Sequence, residues 1–323
     1  EHAHDFCDVL VVGSGPSGIV SAITAAENKL DVILVEQDYE LGGSILSKSN
    51  PNKEKEISKL KELGVRIMLR TTAFGLYDHG VAGLIERVSD HKSVKLKNKP
   101  RQRFWIIRSK HTILATGALE RYIAFGNNDI PGIMTVNAAG TYLNRFGILP
   151  GKKIIISTNN DSAYDTALDL LNAGAEVSLL DSRSNVEKSI LRKTLEKGLG
   201  LQLNSAILNA RGFKSIKSIQ IATIHKGEWK ENGKEECDLL LVSGGWSPTL
   251  HLLSHRGVKP VWNDNNLCFL SGLHNEPITL VGSAAGIWDH EKCLESGVAG
   301  GIKASVLVGK IKIHARGREA NIT

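Results

Sequence analysis

Paired cysteines are missing from this 323-residue chain: its four stand alone at positions 7, 237, 268 and 293, with no CxxC and no metal-ligand spacing. A disulfide reductase needs two thiols beside its redox cofactor, so that activity is disfavoured and each cysteine is expected to be a small buried hydrophobe. No apolar run approaches the ~20 residues of a membrane span, and the start has no signal-peptide pattern. The expectation is therefore a soluble cytoplasmic protein with no membrane partner. The net charge of +6 comes with mixed signs, as in KEKEISKLKE from Lys53 to Glu62, which reads as a solvated helix face rather than a nucleic-acid patch. The chain starts at Glu1 without a methionine, which points to processing or excision from something longer. With 41% hydrophobic residues it can build the cores of two domains.

What is present begins at once. Asp8 to Glu36 reads DVLVVGSGPSGIVSAITAAENKLDVILVE: a buried-type strand, a glycine turn, a helix and a second strand that ends on an acid. Gly13 permits the tight turn, Gly15 leaves room for a pyrophosphate to reach the backbone, and Gly18 lets the helix lie close on the strand. Between them Ser14, Pro16 and Ser17 complete the turn, and Pro16 suits a first helical turn whose N–H groups face an anion. Glu36 follows Gly13 by 23 positions, close to the ~20-residue offset at which an acid accepts hydrogen bonds from an adenosine ribose. A carboxylate there repels a 2′-phosphate, so FAD or NAD is expected and NADP disfavoured. Gln37 adjoins Glu36, and the Gly42-Gly43-Ser44 loop has the freedom to approach a bound nucleotide.

Further along, Lys53 to Leu63 reads as a helix and Val65 to Leu69 as a strand. A β-meander follows, with turns at His79-Gly80 and Asn98 to Pro100. It returns through Phe104 to Ile107 and ends in the strand Thr112 to Ala115 and the turn Thr116-Gly117-Ala118. That turn, about a hundred residues after the glycines, fits an architecture of two dinucleotide-binding domains. A second strand, helix and strand run from Lys153 to Asp181 with the same 23-position spacing from Thr158 to Asp181, yet Thr158, Asn160 and Ala163 replace the glycines. The scaffold persists without its phosphate cradle, so a structural or interface role is favoured over cycling of NAD(P)H; side-chain binding of another polar ligand is the alternative. Gly244-Gly245 opens a crossover back toward the first domain, where Trp246 is expected to cap the junction or to be a buried indole. Ile278 to Gly286 forms the return strand and turn, placing Gly282 and Ser283 at the cofactor, and a helix runs from about Glu291 to Lys310. Two-domain flavoproteins usually carry Gly-Asp at that turn, the acid binding the flavin ribityl. Ser283 weakens FAD and favours NAD. Asp289 is read as the cap of the last helix rather than a catalytic acid.

The fold expected is α/β, with two Rossmann-like dinucleotide-binding domains of the pyridine nucleotide-disulfide oxidoreductase type. The degenerate second domain (126–244) is inserted in a discontinuous first (1–125 plus 245–323). RTTAFGLYDH, ATGALER, NNDIPGIM, TYLNRFG, TNNDSAYDTALDLLNAG, VSGGWSP and GIWDHEKCLESG together resemble the alpha subunit of heterotetrameric sarcosine oxidase. The resemblance implies a complex that oxidises sarcosine with hydrogen peroxide production. Its alpha subunit would hold a non-redox NAD through Gly13, Gly15, Gly18, Glu36 and Gly42-Gly43. A beta-type flavoprotein subunit would carry FAD and share FMN, alongside smaller subunits. Family chains are much longer, with an N-terminal ferredoxin-like segment and a C-terminal folate-binding domain outside this sequence. Tyr122 also stands where such chains commonly have proline. The rivals are an FAD-bearing subunit of an amino-acid, opine or proline dehydrogenase complex, and a structural nucleotide-binding subunit. No residue reads as a catalyst of amine oxidation.

Overall fold

A computed structural model of the chain describes residues 1–47, 53–93, 99–225 and 227–309. The chain forms β1 (His2–Val12), α1 (Pro16–Glu27), β2 (Val32–Val35), α2 (Lys53–Glu62) and β3 (Arg66–Met68). A meander follows, made of β4 (Thr71–Tyr77), β5 (Val81–Arg87) and the 13-residue β6 (Gln102–Leu114). These strands share one sheet in the order β3-β2-β1-β6-β5-β4. β1 lies parallel to β2 and β6, whereas β5 runs antiparallel to β6. The expected turn at Asn98 lies outside the described residues.

The chain then passes through β7 (Ala118–Glu120), β8 (Ile133–Thr135), α3 (Val136–Phe146), β9 (Lys153–Thr158), α4 (Ser162–Asn172), β10 (Glu176–Asp181), α5 (Lys188–Glu196) and β11 (Gly200–Leu203). Next come β12 (Ser205–Gly212), β13 (Ile216–His225), β14 (Glu228–Glu236), β15 (Leu239–Ser243) and β16 (Trp246–Pro248). A five-stranded parallel sheet in the order β11-β10-β9-β15-β8 carries this part, beside the antiparallel sheet β12-β13-β14. The closing segment holds α6 (His251–Ser254), the hairpin β17 (Pro260–Asn263) and β18 (Cys268–Ser271), β19 (Ile278–Leu280) and α7 (His290–Leu307). β19 returns to the first sheet beside β6, pairing Ile278 with Thr112 and Leu280 with Leu114.

Two compact units result. The first comprises Glu1–Ile45, Ser49–Ala118 and Pro248–Thr323; the second is Leu119–Ser247 with Leu46–Lys48. The passages at 118/119 and 247/248 compare with the 125/126 and 244/245 read from sequence. In the first unit, Val9, Val11, Leu34 and Ile113 on one sheet face pack with Ile19, Ala22 and Ile23 of α1. Leu10, Val12 and Ile33 on the other face pack with Leu76, Ala82 and Leu84 of the meander and with Leu252 and Leu253 of α6. The strands are apolar on both sides because both sides are covered. The second unit repeats the plan with Ile154, Ile156, Leu179 and Leu241 against Ala163, Ala167 and Leu170 of α4.

Candidate functional site

The β1–α1 turn supplies the centre of the first unit's site. Gly13 adopts φ +100°, and an added Cβ would run into the Ala115 carbonyl. A Cβ on Gly18 would strike the Gly13 carbonyl, so this glycine sets how closely α1 approaches β1. Gly15 is different in kind. It is the N-cap of α1 at φ −63°, and a Cβ there would meet nothing within 4 Å. Its bareness serves no neighbour in the chain; it keeps open space beside the helix N-terminus. No side chain caps that terminus, and Pro16 stands in its first turn, so the free N–H groups and the helix dipole are left for an external anion.

Glu36 closes one side. Only 7% exposed at the end of β2, it accepts hydrogen bonds from the Ser14 N–H at 2.9 Å, the Ser14 hydroxyl at 2.6 Å and the Asp38 N–H at 2.9 Å. These fix the carboxylate at the turn. The glycine loop covers the other side: the Gly42 N–H donates to the Ser14 carbonyl at 3.1 Å, and a Cβ on Gly43 would meet the Gly15 Cα at 2.9 Å. At the end of β6, Thr116 Oγ1 donates to the Thr249 carbonyl at 2.8 Å, and Gly117 holds φ +70°. Gly282, at φ +62°, lies so close to Ser17 that a Cβ would overlap the Ser17 hydroxyl, and its N–H donates to Ser296 Oγ at 3.1 Å. The structure thus gathers Gly13 to Gly18, Glu36, Gly42-Gly43, Thr116-Gly117 and Gly282 around one turn, with Ser283 half-buried next to Gly282. Gln37 and Ser44 are exposed at its margin, and the Gln37 carbonyl accepts from Arg87.

Sequence reasoning missed how the last helix fits. Gly297, Gly300 and Gly301 let α7 pack onto α1, and Ser21 Oγ donates to the Gly297 carbonyl at 2.9 Å. Glycines inside an otherwise helical run were the available signal. Asp289 caps α7 by accepting from the Lys292 N–H at 2.9 Å. The four cysteines are buried, and burial pushes the Cys7 and Cys237 thiols up to about 12 and raises that of Cys293. Among the described residues no cluster could hold a metal ion.

The second unit has the same β–turn–α frame with its crevice filled. Asn160 Oδ1 accepts from the N–H and hydroxyl of Ser162 at the start of α4, while its Nδ2 donates to the Ser243 carbonyl at 3.1 Å. The Trp246 indole donates to Ser162 Oγ at 2.9 Å. Asp181, the counterpart of Glu36, is fully buried and held by Tyr164 at 2.8 Å and by Arg183. Glu120 accepts from the Asn137 N–H of α3 at 2.7 Å, and burial raises its carboxyl. At the start of α4 the Ser162 N–H is thus taken up by the Asn160 side chain, whereas no side chain accepts from the start of α1.

A parallel α/β unit with an uncapped, glycine-bounded helix N-terminus beside a buried acid, followed by a second unit of like frame, defines a two-unit dinucleotide-binding protein. The chain belongs to the pyridine nucleotide-disulphide oxidoreductase family, whose model matches residues 7–266. It resembles the sarcosine oxidase alpha subunits of Rhizobium meliloti, at 36% identity over 91% of this chain and 30% of that one, and of Corynebacterium sp. strain P-1, at 31% over 96% and 33%. An opine oxidase subunit from Agrobacterium tumefaciens is 24% identical over 82% of this chain and 57% of that one. The chain spans about a third of the length of the sarcosine oxidase subunits it matches. In fold it is similar to L-proline dehydrogenase of P. horikoshii, with a TM-score of 0.70 at 21% identity over 96% of this chain and 57% of that one. Lactococcus lactis thioredoxin reductase gives a TM-score of 0.71 at 18% identity over 94% and 100%. No helix among the described residues is long and apolar enough to cross a membrane.

Proposed function

We propose that the first unit holds NAD as a tightly bound, non-redox group, and that the chain is the alpha-type part of a sarcosine-oxidase-like complex. In that complex sarcosine is demethylated to glycine with peroxide production on a beta-type flavoprotein subunit carrying FAD and FMN. The observation that carries the reading is the contrast between the two turns. Gly15 faces open space next to Glu36, whereas Asn160, Ser162 and Trp246 close the equivalent crevice. A chain that cycled a pyridine nucleotide would need that second crevice free.

NAD would supply structural cohesion rather than electron transfer. The chain's own residues do the holding: the N–H groups of α1 and the Gly15 backbone face the pyrophosphate, and Glu36 accepts from the adenosine ribose. In this reading the amine is oxidised at the partner's flavin, and this chain supplies no acid or base to that step. Denaturing the purified chain and identifying the released nucleotide by absorbance and mass spectrometry tests the reading. NAD without flavin is the expected result. FAD would overturn it and make this chain a redox subunit of the opine or proline dehydrogenase kind.

A further inference from the structure

Asn232-Gly233 is the one Asn-Gly pair in the sequence, and Asn-Gly between strand residues ordinarily makes a two-residue hairpin turn. The fold puts it elsewhere. The β13–β14 hairpin turns between His225 and Glu228, which pair, and Asn232-Gly233 falls inside β14. There the register slips: Gln220 faces Lys234 and Ala222 faces Glu231, so Asn232 and Gly233 together stand opposite Ile221. Two residues against one make a β-bulge, in which the extra residue is left out of the ladder. Gly233 has φ +108°, and a Cβ there would meet nothing within 4 Å.

The bulge lies in solvent. β14 is the edge of the sheet β12-β13-β14, and Asn232 and Gly233 are both exposed, whereas Ile221 opposite them is buried in the core. The strand is braced on either side of the slip: Gln220 Nε2 donates to Glu231 Oε1 at 2.9 Å, and Gln202 Nε2 donates to Glu235 Oε1 at 2.8 Å. Between these anchors the Asn232 side chain makes no hydrogen bond to a described residue. Other asparagine amides are tied: Asn28 donates to the Thr24 carbonyl at 2.7 Å, Asn144 to Asp169 Oδ2 at 3.0 Å, and Asn160 is held by Ser162 and Ser243.

We propose that Asn232 is a site of spontaneous self-modification, at which the Gly233 backbone closes on the Asn232 side chain and the amide becomes an acid. The Gly233 nitrogen, with no side chain beside it, gives up its proton and attacks Asn232 Cγ. The new N–Cγ bond closes a succinimide ring as the Cγ–Nδ2 bond breaks, and ammonia leaves with that proton. Water then opens the ring at either carbonyl, giving aspartate with the backbone restored or isoaspartate linked through its side chain. No oxidant or reductant takes part. The product carries a new negative charge in a strand that already holds Glu228, Glu231, Glu235 and Glu236. Isoaspartate also lengthens the main chain by one atom, at the place where the ladder is already out of register. The inference is independent of the nucleotide of the first unit, since β14 belongs to the second.

The test incubates the purified full chain at neutral pH and follows it by peptide mapping that separates asparagine, aspartate and isoaspartate. Conversion at Asn232 is expected to run at least tenfold faster than at any other asparagine, with isoaspartate in excess over aspartate. Its rate in the folded chain should stay within tenfold of the rate in guanidinium chloride, because the bulge is open without unfolding. Gly233→Ala, which hinders the attacking nitrogen, should slow conversion at least tenfold in the folded and in the unfolded chain alike. A folded-state rate more than tenfold below the unfolded one overturns the proposal, since the ladder would then hold the bulge shut. So does conversion to aspartate alone, a Gly233→Ala chain as fast as the wild type, or equal conversion across the asparagines.

Discussion

Gly13 and Gly15 stand two positions apart, and the backbone separates their roles. At Gly13, φ +100° and the adjacent Ala115 carbonyl both oppose a side chain, so Gly13→Ala is expected to cost ~2 kcal/mol or more, read as a lowered urea midpoint. Gly15 sits at φ −63° with open space ahead, so Gly15→Val should cost the nucleotide-free chain only about 1 kcal/mol, the penalty of a poor N-cap residue, while abolishing nucleotide retention. Stoichiometric nucleotide in that variant would sink the site assignment. His111 offers a test of another kind. It is 2% exposed, shares a hydrogen bond with Thr279 Oγ1 at 2.9 Å, and burial, aided by the Lys303 charge, pushes its imidazole down to about 4. Unfolded histidine titrates near ~6.5, so between these values the unfolded chain binds the extra proton. The stabilisation from this neutral ring is complete above ~7 and is lost as the pH falls toward 4, by up to ~3 kcal/mol. Urea unfolding from pH 4 to 8 should show that fall in the wild type and a flatter profile in His111→Gln. Identical slopes would remove His111 as the cause.

Among the elements, α7 is where the site meets stability. Its glycines bring it against α1, the helix whose N-terminus faces the cradle. A Cβ at Gly301 would meet Thr24 Cβ at 2.7 Å and the Ser21 carbonyl at 2.8 Å, so the helices must separate to admit one. Gly301→Ala is expected to cost ~1–3 kcal/mol by overpacking, despite the better helix propensity of alanine. A raised thermal midpoint would show the crossing to be loose. The α7 cap was legible, because Asp289 precedes a helical run; the crossing was not, since GVAGG records small size without its partner. Strand legibility followed burial. β2 is apolar throughout, β15 is apolar up to its final Ser243, and both are buried at every position, so their runs announced them. By contrast β14, EWKENGKEE, pairs with β13 through its backbone while its side chains stay largely exposed, leaving no apolar period to read. For the same reason the polar start of β1, His2 to Asp5, and the hairpin of β17 and β18 escaped notice although both are paired.

At the scale of the whole chain, two like frames make one prediction that neither makes alone. The degenerate turn was visible in the letters Thr158, Asn160 and Ala163, but letters could not tell an altered site from a filled one. The hydrogen bonds decide it: Asn160 spends its carbonyl on Ser162 and its amide on Ser243, and Asp181 is neutralised by Arg183. A nucleotide entering there would have to replace each of these bonds and desolvate a buried carboxylate again. The first turn asks for no such exchange, because its helix terminus is uncapped. Calorimetric titration of the nucleotide-stripped chain with NAD should therefore saturate at one equivalent, and saturation at 100 times Kd should stabilise it by about 2.7 kcal/mol. Gly15→Val should bring the stoichiometry to zero. Asn160→Gly should leave it at one, since Tyr164 and Arg183 still occupy Asp181. Two equivalents in the wild type would mean that the second crevice opens at little cost, and the case against pyridine-nucleotide cycling would fall with it.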